Sequence, residues 1–308
     1  MGVRVDVGDV RPPARVALAT CAELPDADED TRRLIAPLAA RGLAATPVVW
    51  DDRAADWSEF AVIIVRSCWD YTARRTEFLT WAATTPRVLN PSAVLAWNTD
   101  KVYLAELAAQ GIPVVPTTWI GADDTAPMPW QDSPQPEWVV KPAVSLSALD
   151  TGRYDIRRRD HQALALDHVR RLQHAGKTVM VQPYVATIDA AGETSLVFLG
   201  GRFSHAVRKG AVLDGPARGL DHRFAADGGL LQVCEPMPAQ IELAERVLSL
   251  VPGGRDALLY ARIDLVQDLD GTPLVMEAEL TEPTLYFAQV PAAAERFAAA
   301  VAARVRST

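Results

Sequence analysis

The sequence predicts a mixed α/β (α+β) fold, and three observations carry that expectation. Short apolar runs alternate with helix-length segments over the first hundred or so residues, hairpin patterns dominate the second half, and no internal repeat is present. RVALAT (15–20) reads as a buried strand, followed by a long helix from Glu29 to Arg41 that stops at Gly42. ATPVVW (45–50) and AVIIVRS (61–67) are further strands, Arg74 to Ala83 a helix, and RVLN (87–90) a short strand ahead of Pro91. Thr99 to Gln110 reads as one helix ending at Gly111. GADDTAPMPWQDSPQP (121–136) is a surface loop by its Pro, Asp and Ser content, and EWVVKPA (137–143) is a strand. A helix from Arg159 to Ala175 precedes the strand TVMVQPYV (178–185). ETSLVFLGGRFSHAVRK (193–209) has the β-run, Gly-Gly, β-run pattern of a hairpin. Helix 238–250, ALLYARIDLVQD (257–268), the turn LDG and PLVMEAEL (273–280) complete the core, and Ala288 to Val305 is an alanine-rich helix interrupted near Pro291.

The 308 residues suffice for two or three modest domains, and 49% hydrophobic with 23% charged residues describes a globular chain with a substantial core. A formal charge of -8 argues against nucleic acid as a partner, and no apolar run approaches a membrane span. The first residues, MGVRVDVGDVRPPAR, lack the apolar stretch of a signal peptide, and residues 1–14 read as a flexible arm. Three scattered cysteines, Cys21, Cys68 and Cys234, form neither a zinc spacing nor a disulfide framework, so the expected setting is a reducing cytoplasm. Of 31 basic residues only four are lysines, namely Lys101, Lys141, Lys177 and Lys209, so their placement is informative.

The unusual stretch is PLVMEAEL. Strand alternation puts Glu277 and Glu279 on one face, with Met276 and Ala278 on the other. Two buried like charges this close call for a cation between them. The turn preceding this strand brings ARID alongside it, so that Asp264 lies across from the glutamates. Three oxygen donors without His or Cys suit magnesium, with manganese as a substitute. The competing reading is an amphipathic sheet whose acids face solvent while Arg262 pairs with one of them. Lys141, inside VVKP, calls for an anion if buried, and SLSALDTGR beyond it supplies Ser145, Ser147 and backbone amides that suit phosphate oxygens. Read singly, Lys141 fits a surface lysine on an edge strand equally well. Lys101, Lys209 and the carboxylates tilt the reading toward phosphate.

The order of these pieces resembles the ATP-grasp superfamily. It runs from a lysine before the central region through VVKP, QPYV, a hairpin opening at Glu193, and RID to MEAEL. RSCWDY, LNP, WNTDK and GIPVVPT are similar to actinobacterial, glutathione-synthetase-like members, including cyclo-ligases that close O-ureidoserine to cycloserine. The resemblance spans roughly residues 98 to 290. It implies a preATP-grasp substrate-binding domain (15–117), a central lid subdomain (118–185) and a C-terminal subdomain with the metal site (186–308). It further implies ATP and magnesium as cofactors. Lys101, Lys141, Ser145, Ser147 and Lys209 would be near phosphates, Gln182, Tyr184 and Val185 at the adenine, and Glu193 at the ribose. Asp264, Glu277 and Glu279 would hold the metal, while Arg262, Arg208 and Lys141 act on the reacting group. The pattern departs from the usual E-x-N at Glu279, and the 144–151 loop is poor in glycine.

RSCWDY ends a buried strand, where open α/β sheets bind ligands. Arg66 would clamp a substrate carboxylate there, with Ser67, Trp69, Asp70 and Tyr71 shaping the pocket. Alternatively an Arg66–Asp70 pair braces the loop while Trp69 packs inward. The implied activity is ATP-dependent ligation of a carboxylate to an amine on a small amino-acid-like substrate through an acyl phosphate, releasing ADP and phosphate. Intramolecular ring closure and a nucleotide-binding regulatory protein without ligase activity are the alternatives, and relatives of this kind often form homodimers.

Overall fold

The structure is a computed structural model that describes residues 12–213, 215–216 and 231–307. Most of the expected N-terminal arm therefore lies outside the described residues. The first sheet contains β1 (Ala14–Thr20), β2 (Leu43–Val49), β3 (Val62–Ser67) and β4 (Val88–Leu89), all parallel, in the order β2-β1-β3-β4. β3 is buried along its whole length because both faces are covered, as parallel strands require. One face packs against Leu34, Leu38 and Phe297, the other against Trp50, Tyr71 and Phe78.

The helix expected over 29–41 is two short ones, α1 (Glu29–Arg32) and α2 (Ile35–Ala39). In one continuous helix Pro37 would leave the Arg33 carbonyl without its donor; restarting at Ile35 puts Pro37 in a first turn, where an N–H is not needed. α3 (Arg75–Thr84) follows the Trp69–Thr72 turn. The helix expected over 99–110 also divides, into α4 (Ser92–Asn98) and α5 (Tyr103–Ala109). The break exists because Lys101 N–H donates to the Ala143 carbonyl while the Asp100 carboxylate accepts from Val102 N–H.

The second sheet is antiparallel, in the order β5-β8-β6-β7, from β5 (Thr118–Ile120), β6 (Glu137–Pro142), β7 (Gly152–Asp155) and β8 (Val179–Pro183). Trp138, Val140, Val179 and Val181 pack under α6 (Arg159–His174). Alternation and the register Lys141↔Met180 and Val139↔Gln182 leave Lys141 and Gln182 on the opposite face. α7 (Ile188–Ala191) leads into the third sheet.

That sheet, ordered β11-β10-β9-β12-β13, comprises β9 (Glu193–Leu199), β10 (Arg202–Lys209), β11 (Leu231–Cys234), β12 (Tyr260–Gln267) and β13 (Pro273–Glu279). Gly200 and Gly201 both have positive φ, 57° and 75°, which a two-residue hairpin turn of this hand demands. Leu196, Phe198, Ile263 and Ala278 pack on Leu243, Ala244 and Val247 of α8 (Pro238–Leu250). Val197, Val207 and Tyr260 cluster with α9 (Pro291–Arg306), which starts at Pro291 because proline is favoured at a first helical position. The face holding Val197, Val207 and Tyr260 carries on into a charged patch.

Candidate functional site

Cross-strand register builds the charged patch. Asp264 sits opposite Glu277, Arg262 opposite Glu279, Ser195 opposite Asp264, and Lys209 opposite Glu193. Each of the two glutamates has a cation beside it, Lys101 at Glu277 and Arg262 at Glu279. Arg262 Nε and Nη2 donate to the two oxygens of Asp264, each at 2.9 Å, and Nη2 also reaches Glu279. Lys209 bridges Asp264, at 3.0 Å, to Glu193, and Lys101 Nζ holds Glu277 Oε1 at 3.0 Å. Burial opposes the charge on Asp264, but Arg262 and then Lys209 overcome it and keep the carboxyl well below the usual range. Burial pushes Glu193 and Glu279 each up to about 7, against the pull of Lys209 and Arg262 respectively.

β13 departs from strict alternation. A register shift between Asp264 and Leu265 leaves Met276 as an extra residue, so Val275 and Ala278 are buried while Met276 and Glu277 are both half-buried. Met276 does not share the face of Ala278 as expected. The outer edge of β13 is closed at Val275 by backbone bonds, its N–H donating to the Pro113 carbonyl and its carbonyl accepting from Val115 N–H, and beyond Glu277 by side chains. Asn98 donates to the Ala278 carbonyl and accepts from Leu280 N–H, and the Tyr103 hydroxyl bonds both N–H and C=O of Ala278. Asn90 does the same for Leu259 N–H and the Tyr260 and Leu280 carbonyls. The asparagines of LNP and WNTDK thus hold the acid-bearing strand in place.

Lys101 couples two sheets, since the ammonium that holds Glu277 also donates to the Ser145 carbonyl at 2.6 Å. Ser145 is buried, with its hydroxyl on the Pro142 carbonyl, and Ser147 begins a loop in which Ser147, Ala148 and Asp150 all have positive φ. Lys141 is buried and makes no ion pair or hydrogen bond among the described residues, so it is not a surface lysine. Burial holds its ammonium below the ordinary value, opposed by Glu277 and reinforced by Lys101. Gln182 is buried and donates to Thr117. Tyr184 N–H takes the Glu137 carbonyl, its ring lies 3.5 Å under the Arg153 guanidinium, and half-buried Val185 follows it.

Two groups of expected site residues are placed differently. Arg208 was expected at the reacting group. It pairs across to Thr194, on the face opposite Lys209 and Asp264, and lines a separate cleft with Glu235, Met237 and Gln240. Neighbouring strand residues point to opposite faces, so Lys209 and Arg208 cannot both serve the patch. In RSCWDY, Arg66 pairs with Asp30 rather than Asp70, Nη2–Oδ2 3.6 Å, and donates to the Pro283 carbonyl at 2.9 Å. Asp70 accepts from Trp50 Nε1 and Arg74 instead. Ser67 bonds Asp28, and Tyr71 is buried against Phe78, so neither is free to shape a pocket. Trp69 is half-buried.

Sequence reading missed Glu282, three residues beyond Glu279. Burial, then the neighbouring Glu279, push its carboxyl up to about 8, and its Oε2 is buried without a hydrogen-bond partner among the described residues. A third glutamate so soon after the pair was the available signal, but past the strand end alternation no longer says where it points. Among the described residues no three acids converge in a metal-holding arrangement, because each of the expected ligands grips a cation. The donor set nevertheless fits a hard divalent cation. All donors are carboxylates, with Glu279 pushed up to about 7, by burial first, and Asp264 held low, against its burial, by Arg262 and Lys209.

The comparisons with known proteins bear on this geometry. The family described as D-cycloserine synthetase DcsG, N-terminal domain, matches residues 16–90. Over 304 residues the chain is 36% identical to the cycloserine biosynthesis protein DcsG of Streptomyces lavendulae, covering 94% of this chain and 99% of that one. The chain belongs to the ATP-grasp superfamily, among its DcsG-type members. The crystal structure of D-cycloserine synthetase DcsG superposes with a TM-score of 0.84 at 34% identity, over 95% of this chain and 100% of that one. A RimK-domain ATP-grasp protein from Sphaerobacter thermophilus matches in fold, with a TM-score of 0.64 at 19% identity over 95% and 99% of the two chains. The same holds for D-alanine–D-alanine ligase from Bacillus anthracis, with 0.62 at 15% identity over 96% and 99%. This ATP-grasp chain is accordingly an enzyme of the ligase class that forms C–N bonds, joining a carboxylate to an amine nitrogen. No helix among the described residues is long and apolar enough to cross a membrane.

Proposed function

We propose that the chain is an intramolecular ligase that uses ATP to activate the carboxylate of a small amino-acid-like molecule and closes a ring onto a nitrogen of that molecule, with O-ureidoserine as substrate and cycloserine as product. The observation that carries this reading is the 36% identity with a cycloserine biosynthesis protein across nearly the whole of both chains. It favours ring closure over ligation to a separate amine.

The roles follow from the ion pairs. Lys141, buried without an anion, would take phosphate oxygens of ATP. Lys101 and Lys209, now held by Glu277 and Asp264, would turn toward the same phosphates as the acids accept a metal. The Tyr184 carbonyl and Val185 N–H would meet the adenine, since Tyr184 N–H is already committed, and Glu193 would meet the ribose. Asp264, Glu277 and Glu279 would hold magnesium, which when bound supplies charge neutralisation on the transferring phosphoryl group. A substrate carboxylate oxygen attacks the γ-phosphorus, giving an acyl phosphate and ADP. The nitrogen bonded to the substrate's side-chain oxygen then attacks the acyl carbon, phosphate leaves with the bonding pair, and Arg262 stabilises the charge. Atoms balance for cycloserine when water removes the carbamoyl group as ammonia and carbon dioxide.

The test is a reaction with ATP, magnesium and O-ureidoserine as sole organic substrate. ADP and phosphate should form in step with cycloserine and without added amine. AMP and pyrophosphate, or an absolute requirement for a second amine, would overturn the reading.

A further inference from the structure

Two buried polar atoms of opposite character lie without a hydrogen-bond partner among the described residues at the junction of the first and third sheets: Nη1 of Arg66 and Oε2 of Glu282. The Tyr260 hydroxyl relates them. It bonds the Val65 carbonyl at 2.7 Å and the Thr281 carbonyl at 2.8 Å, and Arg66 and Glu282 are the next residue along each of those two segments. Arg66 Nη2, donating to the Pro283 carbonyl, fastens the segments on the far side of Glu282. The Arg66 side chain is only 2% exposed.

Neither atom has an uncommitted partner among the described residues. Asp30 is the acid paired with Arg66, but both its oxygens also accept from Leu285 and Phe287 N–H. The cations bearing on Glu282 are Lys101 and Arg262. Lys101 is committed to Glu277 and Ser145, and Arg262 to Asp264, Glu279 and the Thr284 carbonyl. A buried unpaired donor and a buried unpaired acceptor are each costly, and a ligand carrying both complementary charges removes both costs at once. A metal ion would satisfy only the carboxylate, and a phosphate only the guanidinium.

We propose that Arg66 and Glu282 together receive the zwitterion of a free α-amino acid, Glu282 taking the substrate ammonium and Arg66 one oxygen of the carboxylate whose other oxygen is phosphorylated. The inference rests on the ligase reading above and names its substrate class. Glu282 is then the residue that selects amino acids over plain carboxylic acids, and the ammonium it holds takes no part in ring closure.

The experiment compares wild type and Glu282→Gln with O-ureidoserine and with its desamino analogue, by steady-state kinetics and by calorimetric binding in the presence of ADP and magnesium. Wild type should prefer the amino compound, and Glu282→Gln should raise KM for it about 50-fold, the loss of one charge-assisted pair. The KM for ATP should stay within about twofold, and the variant should treat the two compounds almost alike. A merely structural role would not erase that discrimination. Unchanged preference in the variant, or equal binding of both compounds by wild type, would overturn the inference. Preferential binding of the amino compound without turnover would leave the receptor standing and remove the cyclising reading instead.

Discussion

Lys141 and Lys101 are both buried lysines at the candidate phosphate site, yet the energetics of losing them differ. Lys141 has no internal partner among the described residues and is destabilised as a cation by burial. Lys141→Met should therefore keep or slightly raise the melting temperature while lowering kcat about a hundredfold, the scale of one lost electrostatic contact to a transferring group. Lys101→Met removes the partner of Glu277 and of the Ser145 carbonyl, so it should lose activity and also melt earlier. Paired thermal melts and kinetics check this, and a large drop in stability for Lys141→Met would show that the lysine is paired internally after all. The identity of Lys141, Asp264 and Glu277 was readable from their chemistry inside apolar strands. The partners they select were not, because Arg262, Lys209 and Lys101 converge from different elements.

Among the elements, the acid-bearing strand β13 has its outer backbone closed at Val275 by residues 113–115 and at Ala278 by side chains of α4 and α5. Asn98→Ala would leave Leu280 N–H buried without its partner and the Ala278 carbonyl with the Tyr103 hydroxyl alone. We expect a loss of about 2–4 kcal/mol, seen as a fall of the melting temperature by several degrees. Tyr103→Phe should produce a smaller loss, since its ring remains packed. A melting temperature unchanged in Asn98→Ala would show that the edge does not depend on this cap. The strands and the hairpin at Gly200–Gly201 were legible from pattern, because apolar runs and turn glycines act locally. Segments 29–41 and 99–110 each read as one helix in the sequence and are each divided in the structure. The first break follows from Pro37, and the second serves a distant partner, Lys101 N–H donating to the Ala143 carbonyl.

Across the whole molecule the third sheet sets four carboxylates, Glu193, Asp264, Glu277 and Glu279, side by side, with Glu193 and Glu279 raised to about 7. Raised acids hold protons in the folded, ligand-free state, and an arriving divalent cation favours their ionised form. Binding of magnesium with a non-hydrolysable ATP analogue at pH 7 should therefore release protons, and the release should fade by pH 9, where the acids are already ionised. Calorimetry in buffers of different protonation enthalpy measures the number, and proton uptake at pH 7 would contradict the charge balance described here. The amino-acid sequence by itself determined the strand order along the chain, the pairing of β12 with β13 and the kinds of group at the site, because hydrophobic period, turn chemistry and residue type are local properties. Only the tertiary structure decided that Arg208 turns away from the site, that Arg66 pairs with Asp30, and that Arg66 Nη1 and Glu282 Oε2 are each buried without a hydrogen-bond partner among the described residues. Those outcomes depend on which face of a sheet a side chain takes and on what distant segment packs against it, and burial converts that placement into charge.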